Sequence, residues 1–128
     1  MKSYIEQLWE VKDTLSKDSL KQPEIKKALL DTIDALDSGI IKLTYRENLE
    51  WKMNEWIKKA IVLYLKTNKN YMTTNGTHKY YDNVALKFDS WDHIKFETAG
   101  IKILAGTTVR KGAFIAKGTI VKSSFIEM

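Results

Sequence analysis

Val109, Ile115 and Val121 recur at every sixth position, and Phe114, Ile120 and Ile126 recur in phase beside them. A period of six fits neither an α-helix nor a simple amphipathic strand. It predicts a hexapeptide β-helix, in which each hexad makes one short flat face and three faces complete a turn. The aliphatic residue opening each hexad points inward. Gly112, Gly118 and Ser124 fall at the corners, where tight bends favour small residues. Only three complete hexads precede Met128, so the expectation is one coil of such a helix, with an open end. A coil satisfies its backbone groups on the rungs above and below it. Residues 107–128 are therefore expected to be frayed, or paired with another chain.

The 128 residues suit a single domain with a modest core. Hydrophobic content of 44% and charged content of 29% are those of an ordinary globular protein. The longest apolar run, Ala60 to Leu65, is too short to span a bilayer. The first fifteen residues interleave acids with apolar side chains, unlike a signal peptide. The absence of cysteine excludes disulfides, thiol nucleophiles and cysteine metal sites. A cytoplasmic location and no membrane partner are the expectation.

The net charge of +5 invites a nucleic-acid reading, which the distribution argues against. Of the 21 basic residues only Arg46 and Arg110 are arginines, and base readout favours the guanidinium fork. The lysines are scattered and interleaved with acids, as in Glu24-Ile-Lys26-Lys27 and Glu55-Trp-Ile-Lys58-Lys59. A solvated lysine-rich surface is the expectation.

The chain ahead of the hexads reads as α/β (α+β). Residues 3–16 carry Ile5, Leu8, Trp9 and Leu15 on one helical stripe, followed by a break at Ser16–Ser19. A second helix opens at Gln22-Pro23, buries Ile25, Leu29, Ile33 and Leu36, and closes at Ser38-Gly39. Residues 40–46 and 49–53 predict a hairpin turning at Glu47-Asn48. Asn54 is placed to cap a third helix running to Lys66, whose broad apolar face marks it as central. Residues 67–77 predict a mobile loop with a turn at Asn75-Gly76, and residues 79–88 fit no single element. Asp89-Ser90 is placed to cap a short helix from Trp91 to Thr98, ended by Gly100, with a strand from Ile101 to Leu104. The expected division is a helix-rich domain at 1–105 and the start of the β-helix at 106–128.

Little chemistry shows in isolated residues. His78 and His93 lack ligand spacing and acid–base partners. Asp31, Asp34 and Asp37 recur every third residue, a spacing that predicts a solvated helix face. Gly106, Gly112 and Gly118 belong to the coil corners and make no phosphate loop. Ser123-Ser124 lacks the context of a nucleophile. Trp9, Trp51, Trp56 and Trp91 mostly lie at core spacings, whereas Tyr80 and Tyr81 cannot both face one core from a strand. One of these two tyrosines is a candidate ligand or subunit contact.

Five segments, taken in order, resemble one family. They are Leu36–Gly39, Trp56-Ile-Lys-Lys-Ala-Ile-Val-Leu63, Tyr80-Tyr-Asp-Asn-Val-Ala-Leu-Lys-Phe88, Ala99-Gly-Ile-Lys102 and Val109-Arg-Lys-Gly-Ala-Phe-Ile-Ala-Lys117. Their collinear order is similar to the N-terminal part of tetrahydrodipicolinate N-succinyltransferases. The resemblance implies an acyltransferase of lysine and diaminopimelate synthesis. It would move succinyl from succinyl-CoA to tetrahydrodipicolinate, with no tightly bound cofactor and no metal. It also implies a left-handed β-helix and a homotrimer with active sites between subunits. In this family the catalytic carboxylate and most CoA contacts are expected beyond Met128. A chain of this length is then expected to be inactive alone, or to complement a separate β-helix chain. A family arginine that binds the substrate falls at Lys102, which keeps the charge for a dicarboxylate but loses the bidentate fork. Ala85 stands where the family commonly has proline.

Overall fold

The computed structural model describes residues 1–16 and 18–128. Lys17, inside the expected break, lies outside the described residues.

Three helices build the core. α1 (Lys2–Glu10) buries Ile5 and Leu8, α2 (Pro23–Asp37) buries the four predicted apolar positions together with Thr32, and α3 (Glu55–Thr67) buries Ile57, Ala60 and Leu63. α3 packs against both of the others, so it is central as its apolar breadth predicts. Fully burying one side chain such as Ile33 contributes about 2 kcal/mol of transfer free energy. The helix expected to reach residue 16 stops at Glu10. The Thr14 hydroxyl and backbone N–H both bond the Val11 carbonyl, and this local turn competes with continued helix. Leu15 still reaches the core from the turn. A single 3-10 turn, Ser19–Lys21, leads into α2. Pro23 occupies the first turn of α2, and Gly39 supplies the left-handed residue after it with φ +75°.

The first hairpin pairs β1 (Thr44–Glu47) with β2 (Glu50–Met53), leaving Asn48 and Leu49 as the turn, one residue later than expected. Both turn residues have positive φ, +50° and +67°, as a type I′ turn requires. Asn54 starts α3, but its side chain makes no cap bond there. It instead donates to the Lys42 carbonyl at 2.7 Å while its N–H donates to the Leu43 carbonyl at 2.8 Å, closing the base of the hairpin.

The loop expected at 67–77 is in part a strand. β3 (Tyr71–Asn75) pairs antiparallel with β4 (His78–Asp82) around Gly76-Thr77. Most of this hairpin is solvent-exposed on both faces, so no apolar alternation announces it in the sequence. α4 (His93–Ala99) is capped by Asp92, whose carboxylate accepts from the Lys95 N–H at 2.8 Å, and not by Asp89 as expected. Gly100 closes α4 in the left-handed conformation, as predicted.

The remaining strands are two residues each: β5 (Lys102–Ile103), β6 (Thr108–Val109), β7 (Ile120–Val121) and β8 (Phe125–Ile126). β5 pairs parallel with β7 at an offset of eighteen residues, and β6 pairs parallel with β8 at seventeen. Val109 and Val121 are buried, whereas Phe114, Ile120 and Phe125 are more than half exposed. Residues 107–128, expected to be frayed or paired with another chain, make pairings within this chain. Besides pairing with each other, these strands are tied to the rest of the chain. The Lys87 N–H donates to the Val109 carbonyl, the Lys111 N–H to the Ala85 carbonyl, and the Gly112 N–H to the Asp37 carboxylate.

Candidate functional site

Charged side chains converge where the hexad-bearing strands meet the helices. The segment Ala85–Lys87 lies antiparallel to residues 109–111, with Leu86 opposite Arg110. This pairing carries Lys87 to the end of α2 and sets Arg110 beside the end of β4.

Asp37 is the hub on one side. Its carboxylate is 2.9 Å from the Lys87 ammonium, and its main-chain carbonyl accepts from the same ammonium at 2.7 Å. The carboxylate also accepts the Gly112 N–H at 2.9 Å. The Lys87 side chain is only 3% exposed, so this cation lives on its bonds to Asp37. One turn earlier on α2, Asp34 pairs with Lys111 at 2.6 Å, and that hydrogen bond raises the lysine's pKa above its ordinary value. Of the aspartates expected to meet solvent, Asp31 and Asp34 do so, with side chains 42% and 50% exposed, Asp31 pairing with Lys27 along the helix, whereas Asp37 is turned into the junction at 20%. Spacing alone could not show that Asp34 and Asp37 point at another part of the chain. Gly39 belongs to the same junction, since a Cβ there would sit 2.8 Å from the Phe114 ring.

Arg110 is the hub on the other side. Its guanidinium grips Asp82 through two bonds, Nε at 3.0 Å and Nη2 at 2.6 Å. The fork holds the Asp82 carboxyl below its ordinary pKa and raises that of Arg110. Glu127 is a looser partner at 3.8 Å, and the Phe125 ring lies 5.9 Å from the guanidinium. Tyr71, Thr73, Tyr80 and Phe125 wall a cleft of about 420 Å³ around this pair. Burial raises the Tyr71 hydroxyl above its usual pKa. Tyr80 is half-buried and Tyr81 lies 74% exposed, and both contribute to the wall of the cleft.

Lys102 stands apart from both hubs. It is exposed on β5, its N–H donates to the Thr119 carbonyl at 3.0 Å, and it lines a shallow cleft with Phe88, His93 and Phe96. Phe88, Trp91 and Phe96 form an aromatic cluster with centroids 4.9–5.1 Å apart, which supports α4 beside that cleft. His93 is an exposed side chain 3.2 Å from Glu97, and His78 is exposed. Among the described residues no group of three histidine, aspartate or glutamate side chains could hold a metal. Among the described residues no helix is long and apolar enough to cross a membrane. Trp9 and Trp56 pack against the core as expected, but Trp51 is 72% exposed on the first hairpin.

With this geometry in hand, residues 1–67 match a family model described as the N-terminal region of tetrahydrodipicolinate N-succinyltransferase. The chain belongs to that family. Tetrahydrodipicolinate N-succinyltransferases of known designation align along most of its length. The 2,3,4,5-tetrahydropyridine-2,6-dicarboxylate N-succinyltransferase of Rickettsia typhi is 38% identical over 125 residues, 97% of this chain and 46% of the relative. The protein of that name from Rickettsia bellii is 40% identical over 118 residues, 91% and 43%. The one from Neisseria meningitidis serogroup C is 38% identical over 107 residues, 83% and 39%. The chain thus spans less than half the length of the relatives it matches.

Tyr80–Phe88 and Val109–Lys117 are two of the five segments that carry the family resemblance, but sequence reasoning assigned no role to the charged residues inside them. Asp82, Lys87, Arg110 and Lys111 lie there, and each is half of an ion pair closed by tertiary structure.

Proposed function

We propose that this chain contributes the N-terminal part of an enzyme that transfers succinyl from succinyl-CoA to tetrahydrodipicolinate. The observation that carries the reading is its alignment over nearly the whole chain with transferases of that designation. In the proposed reaction the amine exposed by ring opening attacks the thioester carbonyl. A carboxylate base takes the amine proton, and CoA leaves as a thiolate that is then protonated. Succinyl-CoA is a co-substrate in this scheme, and no bound cofactor or metal is invoked. Lys102 is the proposed substrate contact, placing one positive charge near a carboxylate of the dicarboxylate from an exposed strand.

The parallel pairs at offsets of eighteen and seventeen support reading residues 102–126 as a coil of a hexapeptide β-helix, left-handed as the family resemblance implies. Residues 1–105 are then the helix-rich unit and 106–128 the start of the coil, with Lys102-Ile103 reaching across to pair with its rung. The outward-facing Phe114, Ile120 and Phe125 favour packing against other subunits, in a homotrimer or beside a complementing β-helix chain. A cytoplasmic setting suits such chemistry.

The test fuses residues 1–128 to the remaining length of the R. bellii relative and follows thiol release from succinyl-CoA. Release that requires tetrahydrodipicolinate is expected, with a raised KM in Lys102→Ala. The 128-residue polypeptide alone is expected to give none. A folded, trimeric chimera that releases no thiol would overturn the reading, and an unchanged KM in the variant would remove Lys102 from it.

A further inference from the structure

We propose that the crevice between the end of α2, α4 and the corner at Lys117 is a binding site for a small organic carboxylate. The crevice holds about 320 Å³, at the lower end of the range for small-molecule sites. Its charged lining is three lysines, Lys87, Lys95 and Lys117, against the single carboxylate of Asp37. That carboxylate is already engaged by the Lys87 ammonium and the Gly112 N–H, so little of its charge is left to repel an anion. Residues 98–126 contain no aspartate or glutamate at all.

The cation at the bottom is built in. The Lys87 side chain is 3% exposed, and among the described residues its ammonium donates to the Asp37 carbonyl and pairs with the Asp37 carboxylate. An ammonium carries three donors, so one remains for a ligand. Its desolvation is already offset by Asp37, so a ligand gains a charged donor that needs no further dehydration. Lys95 is held at the rim by the Trp91 indole, 4.9 Å from the ring centroid, and the Lys87 ammonium is 5.6 Å from the same ring. Lys117 runs along Gly100, where a Cβ would approach its Cγ to 2.8 Å. Trp91 and Phe114 supply apolar walls. A bare inorganic anion leaves those walls unused. An acid with a short apolar stem satisfies the ammonium groups with its carboxylate and covers the rings with its stem. The inference does not depend on the transferase reading.

Titration of the 128-residue chain with succinate, glutarate and benzoate, at constant ionic strength balanced with sodium chloride, tests the site. The Trp91 indole N–H and the amides of Ala99 and Gly112 are followed by NMR, with inorganic phosphate as the comparison anion. At least one acid is expected to give saturable shifts confined to these probes, with phosphate weaker. Lys95→Gln with Lys117→Gln should weaken binding roughly tenfold while the rest of the spectrum is unchanged. Shifts that fail to saturate for all three acids, that appear equally near Lys26 and Lys58, or that survive the double substitution would overturn the site. Phosphate binding as tightly as the best acid would overturn the assignment to an organic carboxylate.

Discussion

Asp37 holds Lys87 with two different oxygens, its carboxylate at 2.9 Å and its main-chain carbonyl at 2.7 Å. Fifty residues separate the partners, so the contact joins the end of α2 to the segment that lies along the hexads. The same carboxylate fixes the Gly112 corner. One acidic side chain at a helix end thus positions both.

Breaking this pair on one side should be costly. Lys87→Met leaves Asp37 without its cation, and Asp37→Asn leaves a nearly buried ammonium uncompensated. Each is expected to destabilise the chain by roughly 3 kcal/mol. The double variant should recover part of that loss, because neither charge is then left alone. Urea unfolding of the four proteins measures the cycle. Additive losses would show that the two residues act separately.

The Asp82–Arg110 fork predicts an acid-dependent term. The carboxyl of Asp82 is held below its ordinary pKa of 3.8, so its contribution is present above that value and lost as pH falls through the lower folded value. The stability gap between wild type and Asp82→Asn should be widest near neutrality and narrow below about pH 4. Arg110→Lys keeps the charge and loses the fork, and should show a smaller gap. Thermal unfolding from pH 7 to pH 3 reads it.

Lys111 titrates in the opposite sense. Its pKa is raised by the hydrogen bond to Asp34, so its contribution is full below its ordinary 10.5 and disappears as pH rises through the folded value. Lys111→Met should therefore lose its disadvantage relative to wild type only in strongly alkaline solution. A gap that closes below pH 9 would contradict this assignment.

Two corner glycines should respond unequally to alanine. Both have positive φ, +108° at Gly112 and +86° at Gly118. A Cβ at Gly112 would also lie 2.6 Å from the Met128 Cβ, whereas one at Gly118 meets nothing within 4 Å. Gly118→Ala should cost about 1 kcal/mol of backbone strain, and Gly112→Ala clearly more. Paired denaturant curves decide it, and equal losses would mean that the Met128 contact is easily displaced.

The first hairpin carries a correctable strain. Leu49 is 82% exposed with φ +67°, next to Asn48 at φ +50°. A two-residue turn of this type favours Asn-Gly. Leu49→Gly is expected to raise stability by about 0.5–1 kcal/mol, seen as a higher melting temperature. A lower one would point to a packing role for this exposed leucine.

Local rules were enough for α2, for α3 and for the family. The stripe Ile25, Leu29, Ile33 and Leu36, with Pro23 before it and Gly39 after it, fixes α2 because helical period and cap chemistry are properties of neighbouring residues. The hexad period likewise predicted Val109 and Val121 as buried. Elements exposed on both faces lack that period, which is why β3 was hidden in a polar stretch and why Asp92 rather than Asp89 caps α4. The pairings lay further out of reach. Asp37 with Lys87, Asp34 with Lys111 and Asp82 with Arg110 join residues 28 to 77 positions apart. Charge spacing along one helix cannot say which distant segment folds against it. The sequence by itself determined where α2 and α3 run and which face of each is apolar. Only the tertiary structure decided which charges meet, because that depends on the three-dimensional approach of α2 and β4 to the hexads.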